Sequence, residues 1–255
     1  MASFSYQREY FRFAKQYINQ VPIIDGKRHG KDVNLYKLFV EQCLSLLRKN
    51  GLCGLVIPSG IYTDLGAMKL REMLFDNSQI KGLFCFENRK EIFEGVHRSY
   101  KFVILTLEKG PKTINFPAAF MRLDVNELEG FPQNKGLNIS VDLIRKLSPD
   151  SLSVMEFNNA IDIEIAERLL RFPLLGEKVI DRWELELHRE FNMTDDAYLF
   201  RIIRTTKALP LYEGKMIHQF SDTLAEPRFW INQTDGRKAL IGKSKDNGQI
   251  LGYQK

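Results

Sequence analysis

The sequence predicts an α/β protein, the trailing part of an open sheet followed by a segment of different character. Three observations carry this expectation. Between residues 32 and 107, apolar runs of strand length alternate with amphipathic helical stretches. The last two of these strands follow each other with no helix between them. Beyond Pro173, Trp183, Phe191, Tyr198, Phe200, Tyr212, Phe220, Phe229 and Trp230 are interleaved with arginines and lysines, with little helical periodicity.

After the loop Asp25–Lys31, Asp32 is placed to cap a helix in which Leu35, Leu38, Phe39, Cys43, Leu46 and Leu47 recur at helical spacing. Asn50-Gly51 supplies its left-handed stop. The run Leu52–Pro58 is apolar enough for a strand buried on both faces. A second amphipathic helix is predicted over about Leu65–Phe75, a second strand over Ile80–Phe86 and a third over Tyr100–Leu107, stopped by Gly110-Pro111. With no helix between them, the last two strands are expected to pair antiparallel at a sheet edge. Short strands near 113–122, a helix at Val141–Leu147 and a helix marked by Ile161, Ile165, Leu169 and Leu170 complete the reading. The expected domains are 1–155 and 156–255.

Composition excludes several classes. Of the 255 residues, 44% are hydrophobic and 27% charged, as in ordinary globular proteins, and no apolar run approaches the roughly 20 residues of a membrane span. The N-terminus has no continuous apolar stretch of the signal-peptide kind, and Cys43, Cys53 and Cys85 have no metal-ligand spacing. A cytoplasmic protein with reduced thiols and no metal is the expectation. Net charge is +5, and residues 201–255 carry ten Lys/Arg against five Asp/Glu, so the whole basic excess lies there. Such localisation is what a segment contacting a polyanion shows.

Active-site spacings are mostly missing. No two glycines are separated by a single residue, which excludes a dinucleotide-type turn, no GxxxxGK(S/T) phosphate-cradling loop is present, and no Ser sits in a GxSxG elbow. His29, His97, His188 and His218 lie far apart.

The stretch Asp32-Val33-Asn34-Leu35-Tyr36-Lys37-Leu38-Phe39-Val40-Glu41, then Asn50–Ser59, then Leu70-Arg71, then Glu91–Ile104, resembles the N6-adenine DNA methyltransferases of restriction-modification systems. The likeness is to the type II/IIG-like form that fuses methyltransferase and target recognition. Phe191–Asp196 and Leu209–Phe220, above all Tyr212-Glu213-Gly214-Lys215-Met216-Ile217-His218-Gln219-Phe220, are similar to its target-recognition region. The resemblance implies the trailing half of a Rossmann-like S-adenosylmethionine-dependent sheet, then a mixed α+β target-recognition region. It implies double-stranded DNA as partner, S-adenosylmethionine as cofactor of the full-length parent, and no membrane.

The resemblance also assigns residues. Phe93, the aromatic of the late loop, would stack on a flipped base, and a core Phe at a strand entry is the open alternative. Leu35, Tyr36 and Phe39 match positions near the cofactor adenine, while their spacing equally fits core packing. His97, Arg98 and Lys101 beside Phe93 are candidates to reach phosphate, with solvated loop charge the open alternative. Arg201, Arg204 and Lys207 are candidates for phosphate contact, with partnerless surface charge the open alternative. Tyr212, Lys215, His218 and Gln219 are candidates for reading or positioning, since Gln suits adenine and Lys suits guanine or phosphate, with a structural turn through Tyr212, Gly214 and Met216 the open alternative.

One departure is as informative as the match. The family requires a Gly-rich cofactor loop and an Asn/Asp-Pro-Pro-Tyr/Phe motif, both N-terminal to the matching region, and none of the nine prolines here is adjacent to another. No catalytic residue is therefore assigned, and the chain is expected to be the C-terminal part of such an enzyme, working with its remainder or with a partner chain. A non-catalytic DNA-recognition subunit beside a separate methyltransferase is the rival reading.

Overall fold

A computed structural model describes residues 17–20, 23–24, 27–28, 34–133, 136–182, 185 and 190–243. Asp32, the expected cap, and the aromatics Phe4–Phe13 lie outside the described residues, as do Trp183, His188 and Arg189. The chain divides into two compact units, residues 1–177 and 178–255. Residues 156–177, assigned to the second domain on sequence, cluster with the first unit.

In the first unit, helix α1 (Leu35–Leu46) is capped by Asn34, whose side chain accepts the Tyr36 amide. Asn50, at φ +62°, makes the left-handed turn into strand β1 (Leu52–Pro58). A single turn, α2 (Gly60–Thr63), and helix α3 (Met68–Asn77) lead to β2 (Ser78–Glu87). Then come β3 (Lys101–Lys109), β4 (Asn115–Arg122), β5 (Leu137–Ser140), α4 (Val141–Leu147) and α5 (Ala160–Leu169).

The five strands form one mixed sheet in the order β1-β3-β2-β4-β5. Strand β3 is antiparallel to both neighbours, from Leu52↔Glu108 to Pro58↔Phe102 on one side and from Ser78↔Lys109 to Glu87↔Lys101 on the other. This corrects the expected topology in one respect: β2 and β3 do pair antiparallel, but β3 lies inside the sheet. It is inserted between two strands that run the same way, so its backbone donors and acceptors are satisfied on both sides.

The pleat sends alternate side chains to opposite faces. Leu83 and Cys85 of β2 with Val103, Leu105 and Leu107 of β3 enter the main core, against Leu70, Leu74 and Phe75 of α3. Phe84, Phe86, Phe102 and Ala119 form a second cluster on the other face, with Phe86 stacked on Phe102 at 5.3 Å. Strand β1 departs from its expected burial on both faces. Leu52 is 72% exposed and Val56 57%, and Leu35, Phe39 and Leu46 of α1 are exposed too. Strand β1 has no neighbour on its outer side among the described residues, so both its edge and these apolar side chains are open.

The turn α2 is held by a buried cation. Arg71 donates to the carbonyls of Ile61 (2.9 Å), Asp64 (2.7 Å) and Ser151 (2.6 Å), tying α2 and the 148–157 segment to α3. Burial pulls its guanidinium down to about 10, against the opposing field of Asp64.

The second unit is a three-stranded antiparallel sheet in the order β6-β8-β7, from β6 (Phe200–Arg201), β7 (Ala208–Pro210) and β8 (Trp230–Asn232). It is followed by helix α6 (Gln233–Lys243). Phe200 packs against Phe191 and Phe229, and a groove of about 780 Å³ is lined by Met193, Leu211, Ile231 and Leu240 among others.

Replacing Arg71 with Met should leave three carbonyls without their donor and lower the unfolding free energy by about 3 kcal/mol or more. Lys69→Ala, which removes only the exposed 2.7 Å pair with Glu72, should cost under about 0.5 kcal/mol. Urea titration of the two variants checks the contrast.

Candidate nucleic-acid interface

Because β3 returns antiparallel, the connection 88–100 crosses the carboxyl ends of β1 and β2, where open α/β sheets bind ligands. Asn88, fully buried, organises this loop. Its side-chain amide donates to the carbonyls of Phe93 and Val96, both at 2.9 Å, and its carbonyl oxygen accepts the Phe93 amide at 2.9 Å. Glu91, at φ +53°, turns the chain. Phe93 is 44% exposed and meets Phe102 edge-on at 4.8 Å, so one part of its ring is anchored and the rest faces solvent.

The flanking cations have internal partners. Arg98 donates twice to the Arg89 carbonyl (3.1 and 3.2 Å), and the His97 Nδ1 lies 2.8 Å from the Ser99 hydroxyl. Lys101 is paired with Glu156 at 2.6 Å, and this bond raises its ammonium above the ordinary lysine range. The Tyr62 hydroxyl donates to the other Glu156 oxygen at 2.7 Å and lies 2.9 Å from the buried Cys85 thiol. Burial pushes the Cys85 thiol up, which makes it a poor nucleophile.

Helix α1 points its N-terminus to the same end of the sheet. Leu35 and Phe39 lie on its exposed side, and Tyr36 is half-buried. The Tyr36 hydroxyl is buried with no hydrogen-bond partner among the described residues, and burial with the nearby Asp64 charge drives its phenol upward. A Cβ at Gly60 would lie 2.9 Å from that hydroxyl, so the glycine allows the close approach.

In the second unit, the guanidinium of Arg204 stacks over Trp230 (4.9 Å) and that of Arg228 over Phe229 (4.3 Å). Arg201 donates to the carbonyls of Tyr198 and Phe200, and Lys207 sits at φ +66° on the surface. Tyr212 is exposed. Lys215 pairs with Glu213 at 2.9 Å, while Met216 buries itself and anchors the loop. His218 and Ser221 exchange backbone hydrogen bonds (2.8 and 2.9 Å), which places Gln219 and Phe220 at the tip of a two-residue hairpin.

Within each unit the structure thus groups the sequence-derived candidates: Leu35, Tyr36, Phe39, Phe93, His97, Arg98 and Lys101 in one, the remaining seven in the other. Asn88 and Glu156 carry no assignment on sequence, and Phe220 enters there only within the aromatic series and the Tyr212–Phe220 run. The polar pair Glu87-Asn88 closing the apolar run of β2 was the one available signal. Among the described residues no group of His, Cys, Asp or Glu could hold a metal, and no helix is long and apolar enough to cross a membrane.

Comparison with known proteins agrees with the sequence resemblance. Residues 10–93 match the family model of the Eco57I restriction-modification methylase, and this stretch includes α1, β1, α3, β2 and Phe93. Over this stretch the chain is similar to restriction-modification methylases. No curated protein matches. Solved structures with some likeness include the M protein of the type I restriction enzyme EcoKI, at 14% identity, 54% of this chain, 42% of that one and a TM-score of 0.38. A modification subunit of a putative type I restriction enzyme from Vibrio vulnificus YJ016 gives 13%, 50%, 33% and 0.38. The type IIG restriction endonuclease BpuSI gives 20%, 38%, 11% and 0.30. The chain spans less than half the length of each of these.

Asn88→Ala should release the loop and cost about 1–3 kcal/mol. Hydrogen exchange at the Phe93 amide should accelerate, with the β2–β3 ladder amides unchanged outside that loss.

Proposed function

We propose that this chain is the C-terminal part of an adenine-specific N6 DNA methyltransferase of a restriction-modification system, supplying part of the base and cofactor pocket and the grip on duplex DNA. The observation that carries the reading is the family match over residues 10–93, a stretch that includes Phe93, the partly exposed aromatic at the carboxyl end of the sheet.

The chemistry divides as follows. The exocyclic amine of adenine is a poor nucleophile, since its lone pair is delocalised into the ring, and acceptors on an Asn side chain and a backbone carbonyl are needed to draw its protons. This sequence contains no Pro-Pro motif to provide them. Its own residues act on binding. Phe93 offers a flat apolar face to an extruded base, and Asn88 keeps that face in place. S-adenosylmethionine, when bound, supplies the methyl group. The exposed apolar side chains of Leu35 and Phe39 would face its adenine ring, with the half-buried Tyr36 supporting that side of the helix from within. The open edge of β1 and the apolar surface beside it suit the remainder of the sheet, on the same polypeptide or on a partner chain.

Arg201, Arg204 and Lys207 would contact phosphate in the second unit, and Tyr212, Lys215, His218 and Gln219 would position or read the duplex. Lys215 would exchange its Glu213 partner for DNA, which suits a base-discriminating contact better than a free surface cation. His97 and Arg98 are close enough to Phe93 to hold the strand from which the base is drawn, and Lys101 reaches it only by leaving Glu156.

Binding of a mixed-sequence duplex should weaken steeply with salt, each neutralised phosphate contributing about −0.9 to the log–log slope. Changing Arg201, Arg204 and Lys207 to Ala together should flatten that slope by about 1–3. An unchanged slope would place these cations on a solvated face.

A further inference from the structure

We propose that Phe220 is an apolar wedge that inserts between base pairs of duplex DNA. This rests on the DNA-binding reading of the second unit and names a contact which that reading does not include.

Two independent features set Phe220 apart. Its ring is 98% exposed, the most exposed of the large hydrophobic side chains in the described residues. Its backbone lies at φ +65°, a conformation that Gly or Asn adopts readily and a bulky side chain only at a cost. Both features are unfavourable for the free protein, and a Gly here would remove both. Strain retained at an exposed position points to use there.

The local structure suits insertion. The paired backbone bonds between His218 and Ser221 close a tight hairpin, so the ring is carried on a short, stiff support. Met216, buried, accepts the Leu224 amide through its carbonyl and fixes the base of the loop. A presented aromatic therefore has little freedom to lose on binding. Beside it stand the exposed His218 and Gln219, and residues 201–255 carry the basic excess of the chain. The basic excess of residues 201–255, with Arg204 and Arg228 held over Trp230 and Phe229 of the same unit, attracts the phosphates of a duplex first, and a base step then accepts the projecting ring. An apolar protein partner would not require that charge.

The test uses the 255-residue chain with a 30-base-pair mixed-sequence duplex carrying a donor and an acceptor dye at its ends. Phe220→Gly should fold with a melting temperature equal to or above wild type, because the strain and the exposed ring are gone. Its duplex affinity should fall roughly tenfold or more, with the log–log salt slope unchanged because no phosphate contact is lost. The wild type should shorten the end-to-end distance and the Gly variant should not. Phe220→Leu, also an apolar wedge, should recover part of both effects, and it carries the test if the Gly variant fails to fold. Unchanged affinity and bending in the Gly variant, with wild type binding normally, would overturn the wedge alone. The same holds if the substitution abolishes self-association of the chain and leaves duplex affinity intact. Failure of the wild type to bind the duplex at low salt would overturn the DNA-binding reading and the wedge with it.

Discussion

The antiparallel insertion of β3 between β1 and β2 is the constraint on which the rest of the first unit depends. Strands β1 and β2 run in the same direction and do not touch. Only a strand that returns between them can satisfy the inner backbone groups of both, and β3 does so along its whole length. This fixes where the preceding connection must lie. A strand entering the sheet beside Pro58 and Glu87 starts at the carboxyl ends of its neighbours, so residues 88–100 are delivered to the end of the sheet where α1 begins and α2 turns. The location of Phe93 is a consequence of strand order.

The same insertion explains the two faces of the core. With β3 buried between neighbours, its alternate residues serve opposite sides: Val103, Leu105 and Leu107 pack toward the helices, and Phe102 packs toward Phe86 and Phe93. The aromatic cluster thus supports Phe93 from below, and Asn88 ties its backbone from the side. Glu156 does comparable work at the entry to β3, holding Lys101 and Tyr62 from the 148–157 segment, which Arg71 fastens to the helices. Each of these polar groups has its partner inside the fold, which gives a site at the sheet end a rigid floor.

Much of the fold was legible in the sequence. Leu52–Pro58 and Val141–Leu147 coincide with the observed elements, since an unbroken apolar run and a Ser-capped amphipathic stretch are local signals. The place of β3 was not legible. Adjacency in sequence suggests a hairpin at an edge, and nothing in Tyr100–Leu107 reports that a second strand lies on its far side. Burial of β1 was overestimated for a related reason: an apolar composition states what a strand is suited to, and Leu52 and Val56 remain open among the described residues. Of the site, the aromatic and basic residues stood out by type, while Asn88 did not, because its significance lies in three hydrogen bonds, and the exposure and backbone angle of Phe220 were not legible either.

On the proposed function, the 88–100 end of the first sheet and the hairpin of the second unit each contact duplex DNA. Hydrogen exchange of the chain with and without a mixed-sequence duplex, read by peptide, tests it most directly. Slowed exchange is expected in two separate segments, 88–100 and 200–221, with the amides of α4 and α5 unchanged. Uniform exchange in both states, or protection confined to α4 and α5, would contradict it.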